Sequence, residues 1–280
     1  MKNILITGAT DGIGLATAKQ LVLLGHNLLI HGRSAEKLAH TQALLQSIAP
    51  QSTISSYCAD LSNVAATQQL VAGIKHHHST LDIIINNAGV FKTATPLTSD
   101  GFDMRFVVNT FAPYFITHQL LPLLADTGRV INLSSAAQAS ININAMLGQA
   151  NLADAFQAYA QSKLALTIWS TELAKSLKPS QVMLAINPGS LLASKMVKEG
   201  FGVAGHDLSI GADILTRAAL SAEFANASGL YYDNDNQQFT APHVDANQPK
   251  IVHRLMHALH EILTTHYHVK APVTAVKPVF

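Results

Sequence analysis

Short apolar runs alternate along the chain with longer stretches in which apolar residues recur at three- and four-residue steps. Asn3–Thr7, Asn27–His31, Thr53–Cys58, Leu81–Asn86, Arg129–Leu133, Gln181–Ile186 and Leu230–Tyr232 have strand length. Between them, Ile13–Leu24, Ala35–Ile48, Val64–His76 and Ala155–Leu177 carry the helical period. Ile83, Ile84 and Ile85 are consecutive and apolar, so that strand is apolar on both faces, as in a parallel sheet sandwiched between helix layers. The alternation predicts a doubly wound α/β fold: a parallel sheet of about seven strands with helices on both faces. No linker or composition break divides the first 260 residues, so residues 1–264 read as one domain. Ala136–Phe156 is a long Ala/Asn/Gln-rich connection without a period, and connections of that length are usually functional or mobile. The tail, residues 265–280, contains Pro272 and Pro278 and reads as an extended arm that contacts another subunit.

Composition narrows the function. Hydrophobic residues make up 48% and charged residues 12%, the balance of a globular chain rather than a disordered one. A formal charge of +1 predicts no electrostatic grip on nucleic acid or anionic membrane. The single cysteine, Cys58, excludes an internal disulfide and any CxxC motif, and its apolar surroundings suggest a buried, inert thiol. His76, His77 and His78 point in different directions on a helix and read as a solvated helix end, so no metal is expected. No apolar run reaches a membrane-spanning length and the N-terminus lacks a signal-peptide pattern, which makes the cytoplasm the expected compartment.

The first strand runs into Thr7-Gly8-Ala9-Thr10-Asp11-Gly12-Ile13-Gly14 and then a helix. Glycines there permit a tight turn and a close backbone approach to a pyrophosphate, and the helix start offers unpaired amides to phosphate. The second strand ends in His31-Gly32-Arg33-Ser34, with no carboxylate for a ribose 2′-hydroxyl but with an arginine suited to a 2′-phosphate. That favours NADP(H) over NAD(H), although Asp11 adds a negative charge nearby. Asp60-Leu61 follows the third strand, where Asp60 either meets the adenine amino group or caps the next helix.

Tyr159 and Lys163 are four residues apart near the start of a long helix and share one face. A phenol titrates near pH 10, and an ammonium one turn away stabilises its phenolate and makes it a better acid and base. Asn86-Asn87-Ala88-Gly89, Asn132-Leu133-Ser134-Ser135 and Asn187-Pro188-Gly189 each follow a strand, at the edge where open α/β sheets bind ligands. With these pieces in order, the sequence from about Lys2 to Leu263 resembles the short-chain dehydrogenase/reductase family, closest in pattern to its retinol dehydrogenase-like branch. The resemblance implies a Rossmann fold and a set of roles. Tyr159 is the proton donor and acceptor, and Lys163 holds the nicotinamide ribose and lowers the tyrosine pKa. Ser135 hydrogen-bonds the substrate oxygen, and Asn109 holds a water in a proton relay behind the lysine. Gly8, Thr10, Asp11, Gly12, Ile13 and Gly14 form the pyrophosphate turn; Arg33, Asp60, Leu61, Asn87, Ala88, Gly89, Pro188 and Gly189 complete the cofactor site. Two departures accompany it. Ser135 and Tyr159 are 24 positions apart, so residues 136–158 hold an insertion near the active site. The threonine usual four residues after the PG glycine is Ala193, with Ser190 and Ser194 as the nearby hydroxyls.

The implied reaction moves hydride between NADP(H) and a carbonyl, or the matching primary or secondary alcohol, of a small hydrophobic molecule. Gln138–Phe156 and Leu191–Val203 are the expected substrate walls, through Ile141, Ile143, Met146, Leu147, Leu191, Leu192, Met196 and Phe201. Lys195 and Lys198 read as solvated charges or as partners for a substrate carboxylate. A homodimer or homotetramer through the Tyr159 helix and the helix before it fits family habit. Two other functions use similar residues: a non-catalytic NADP-binding redox sensor, and an NAD-dependent epimerase or dehydratase. The first would not need the Asn109, Ser135, Tyr159 and Lys163 set. The second usually has a differently spaced turn, an acid after the second strand and a separate substrate domain.

Overall fold

A computed structural model of the chain describes residues 1–194, 196–198 and 202–269. The strands are β1 (Asn3–Ile6), β2 (Asn27–Gly32), β3 (Ile54–Cys58), β4 (Leu81–Asn86), β5 (Leu124–Leu133), β6 (Val182–Asn187), β7 (Tyr231–Asp233) and β8 (Gln238–Thr240). They form one sheet in the order β3-β2-β1-β4-β5-β6-β7-β8. All neighbours from β3 to β7 are parallel, and β8 closes the edge antiparallel to β7. The eighth strand is the one that the hydrophobic pattern misses: Gln238, Phe239 and Thr240 are all exposed, so no alternation marks them.

The helices are α1 (Gly12–Leu23), α2 (Ala35–Ile48), α3 (Val64–His77), α4 (Met104–Phe106), α5 (Ala112–Leu120), α6 (Ile143–Met146), α7 (Ala155–Ala174), α8 (Leu208–Leu220) and α9 (Pro249–Thr265). A π-helical turn, Val107–Phe111, joins α4 to α5. Alternate strand residues feed two cores. Ile4, Ile6, Ile83 and Ile85 pack with α1 and α8, and Leu5, Ile84 and Val130 pack with α3, α5 and α7. Each side chain in these central strands is thus withdrawn from water at roughly 25 cal/mol per Å² of apolar surface.

The C-terminal helix α9 packs against α7. Leu255, Leu259 and Ile262 of α9 join Ile116 and Leu166 in one core, and Tyr267 stacks on Phe115 with ring centroids 4.3 Å apart. The proposed tail arm therefore begins as a packed segment; residues 270–280 lie outside the described residues. Cys58 is exposed rather than buried, because β3 is the sheet edge and Cys58 lies on its open face. Within the insertion, Ala145 and Met146 of α6 are buried in the core.

Candidate active site

The C-terminal ends of β1, β4, β5 and β6 meet the start of α7 at one edge of the sheet. Asp154 caps α7 by accepting the Phe156 N–H, which places Tyr159 in its second turn. Lys163 is buried, and its Nζ donates to the Leu133 carbonyl at 2.7 Å, 5.7 Å from the Tyr159 ring centroid. Burial pulls the ammonium down to about 8. Burial raises the Tyr159 phenol above its ordinary value, and a hydrogen bond with Ser135 works against the rise. The lysine here is turned to a backbone carbonyl. Ser135 and Tyr159 stand close enough for both to address one oxygen.

Asn109 sits in the π-helical turn and is fully buried. Its Oδ1 accepts the Val90 N–H at 2.8 Å, and its Nδ2 donates to the Val90 carbonyl at 2.9 Å and to Ser162 Oγ at 3.0 Å. Ser162 Oγ in turn donates to the Tyr159 carbonyl at 2.7 Å. Both amide hydrogens are thereby committed, so the side chain works as a clamp between the β4 loop and α7. Gly89 lies against the clamp: a Cβ there would stand 3.3 Å from Asn109 Oδ1 and 3.5 Å from Lys163 Nζ.

On the nucleotide side, Gly8 has φ +67 and Gly12 φ +53, a backbone that favours glycine. A Cβ on Gly14 would lie 2.2 Å from the Gly8 carbonyl oxygen, and one on Gly8 would lie 2.9 Å from the Ala88 backbone. Asp11 caps α1 by accepting the Gly12 N–H, leaving later amides of the first turn outside the helix ladder. This cradle of glycine and helix-end amides fits a pyrophosphate. Asn87 braces the turn: its Nδ2 donates to the Thr7 and Gly8 carbonyls. Thr10 packs on Gly32, and Arg33 is exposed at the end of β2. Asp60 does not cap α3, whose cap is Asn63; it accepts from the Ser62 N–H and hydroxyl. The Leu61 side chain is buried in the core and is not available to a ligand.

A cavity of about 360 Å³ joins the two sides, with Ile13 of the glycine turn, Ser135, Tyr159, Pro188 and Gly189 in its lining. Leu191, Leu192, Met196 and Val197 complete the lining, with Leu192 beside Gly189. Ile141, Ile143 and Leu147 are not in the lining; they pack with Met146 against the core, because α6 folds inward. Lys195 and Phe201 lie outside the described residues. Ser190 and Ser194 both line the cavity; Asp235 accepts the Ser190 N–H and hydroxyl, whereas Ser194 lies beside Gly12. No motif pointed to Asp235, 45 residues distant, or to Phe91, whose ring lies 5.2 Å from that of Tyr159 and 6.2 Å from that of Phe156. Among the described residues no cluster of metal-ligating side chains gathers, and no helix is long and apolar enough to cross a membrane.

The profile of the short chain dehydrogenase family matches residues 2–201. The chain is 30% identical over 273 residues to retinol dehydrogenase 13 of Homo sapiens, covering 91% of this chain and 82% of that protein. A solved short chain dehydrogenase from Shigella flexneri 2a, complexed with NADP, superposes with a TM-score of 0.66 at 25% identity over 83% of this chain and 96% of the other. An uncharacterized protein from Mycobacterium paratuberculosis shares the fold more completely, with a TM-score of 0.79 at 23% identity over 98% and 96% of the two chains.

Proposed function

The chain belongs to the short-chain dehydrogenase family, in its retinol dehydrogenase-like branch, and from that premise we propose an NADP(H)-dependent oxidoreductase acting on a neutral, apolar carbonyl or the matching alcohol. The observation that carries the reading is the shared cavity, which is lined by Ile13 of the glycine turn together with Ser135 and Tyr159. Gly8, Gly12, Gly14 and the α1 amides would hold the pyrophosphate, and Arg33 would pair with the 2′-phosphate. When bound, the dinucleotide supplies or accepts the hydride.

The remaining work belongs to the protein. Ser135 donates to the substrate oxygen and polarises the carbonyl, and Tyr159 delivers a proton to that oxygen. A phenol held above its ordinary pKa enters the cycle protonated, which suits reduction at neutral pH. Lys163 restrains the end of β5 and supplies positive charge beneath the phenol. These donors are fixed before the substrate arrives, so charge growing on the oxygen needs little reorganisation. Phe91 packs between the rings of Tyr159 and Phe156, and the described lining carries no Asp, Glu, Lys or Arg, which selects uncharged substrates. The cytoplasmic placement expected from the sequence is part of the same proposal.

The test is NADPH consumption across paired substrates: aromatic and long-chain aldehydes and ketones against small or carboxylate-bearing carbonyls. Turnover confined to the neutral apolar set is the expected result. Preference for the charged set overturns the substrate assignment, and faster turnover with NADH overturns the assignment of Arg33.

A further inference from the structure

The end of β2 carries a buried histidine that the proposed chemistry does not use. His31 is 3% exposed and stands where the ends of β1, β2 and β3 converge. The Gly8 N–H donates to its Nδ1 at 3.2 Å, and its Nε2 lies 3.0 Å from the Ala59 carbonyl. A carbonyl only accepts, so Nε2 carries the proton and Nδ1 the lone pair. The main chain repeats the link: Ala9 N–H donates to the His31 carbonyl at 2.9 Å, and Ala59 N–H to the Gly32 carbonyl at 3.1 Å. Two consecutive amides of the glycine turn therefore end on one residue of the neighbouring strand.

The turn has little freedom to move without harm. The Gly14 Cα hydrogen faces the Gly8 carbonyl, where a Cβ would be only 2.2 Å away, and a Cβ on Gly32 would lie 2.7 Å from Thr10 Cγ2. A small apolar residue in place of His31 would leave the Gly8 N–H without its partner and would open space between three strand ends. The turn would then relax toward β2, away from the geometry that aims the α1 amides at phosphate.

We propose that His31 is a positioning residue for the dinucleotide: as the neutral Nε2–H tautomer it ties Gly8 to Ala59 and holds the seat of the adenosine-pyrophosphate half. It touches no reacting atom. The proposal rests on the NADP(H) reading of this site. Burial pulls the imidazole down to about 4, against the Ala59 hydrogen bond and the nearby Asp60 charge, so the tautomer persists through neutral pH.

NADPH binding to the whole protein, followed by nucleotide fluorescence, tests the tie alongside thermal melting and steady-state kinetics. His31→Ala is expected to raise the NADPH Kd and KM about tenfold, the equivalent of one buried hydrogen bond, with kcat at saturating NADPH within about twofold. His31→Gln offers one donor and one acceptor and is expected to recover most of the affinity. If His31→Ala does not fold, His31→Met fills the space without either hydrogen bond and takes its place. A lowered Tm with unchanged Kd, or a Gln variant no better than Ala, makes His31 a purely structural residue and overturns the proposal. Wild-type protein that binds no NADPH overturns it together with the functional reading beneath it.

Discussion

On the nucleotide side of the cavity the backbone turns left-handed at Gly8 and Gly12; on the substrate side it does so at Leu191, with φ +51. The first side gives up side chains to make room, since a Cβ at Gly8 or Gly14 would meet backbone within 3 Å, while Gly12 supplies the left-handed turn. The second keeps a large side chain in a conformation that costs an L-residue roughly 1–2 kcal/mol. Room is the function of one wall, and the side chain is the function of the other. The nucleotide side is also densely tied, by Asn87, His31 and the Asp11 cap, whereas the substrate side presents Leu191 partly to solvent. Changes on the first side should act on every substrate alike, and changes on the second should discriminate among substrates.

The largest expected effect lies where the two sides meet. Tyr159→Phe removes the proton donor and leaves the glycine turn alone. Its kcat should fall by about 10²–10⁴, the usual contribution of a positioned acid, with the NADPH Kd unchanged. Undiminished turnover would remove Tyr159 from the chemistry. The pH profile carries the same sign: reduction needs the protonated phenol, whose pKa is raised by burial. Reduction should therefore stay flat through neutrality and decline only on the alkaline side, while alcohol oxidation climbs with pH.

Arg33→Ala probes the nucleotide side alone. The guanidinium is solvent-exposed, so its pairing with a 2′-phosphate is screened. A loss of about tenfold in NADPH affinity is the expected size, with NADH affinity and the ranking of carbonyl substrates unchanged. Equal losses for both nucleotides would mean that Arg33 does not read the phosphate.

The same contrast explains what was legible in the sequence. Strands such as Ile83–Ile85 announce themselves because both faces are buried, and the glycine turn and Tyr159–Lys163 are local patterns with fixed spacing. The ties that aim them are not local. Asp235 reaches Ser190, His31 reaches Gly8 and Ala59, and Asn109 reaches Val90, pairings made by the order of strands rather than by any period along the chain. Leu191, Leu192 and Met196 line the cavity as the sequence predicts, whereas the α6 part of the expected wall does not, for a related reason. Ile141, Ile143 and Met146 are apolar enough for either a pocket or a core, and only the inward fold of α6 decides for the core.

The smallest expected effect is also the sharpest test of the comparison. Leu191 is 41% exposed and lines the cavity; its carbonyl accepts the His206 N–H at 2.7 Å, which anchors the turn. Leu191→Gly relieves the left-handed strain, yet it adds unfolded-chain entropy worth roughly 0.5–1 kcal/mol and removes partly buried apolar surface. The opposing terms are of similar size, so Tm should move little. If strain is tolerated there for the sake of the side chain, KM for an apolar carbonyl should rise about threefold, matching some 0.6 kcal/mol of lost burial, while the NADPH Kd holds. A raised Tm with unaltered KM would show Leu191 to be strained without functional return, and the two walls would then differ in composition but not in role.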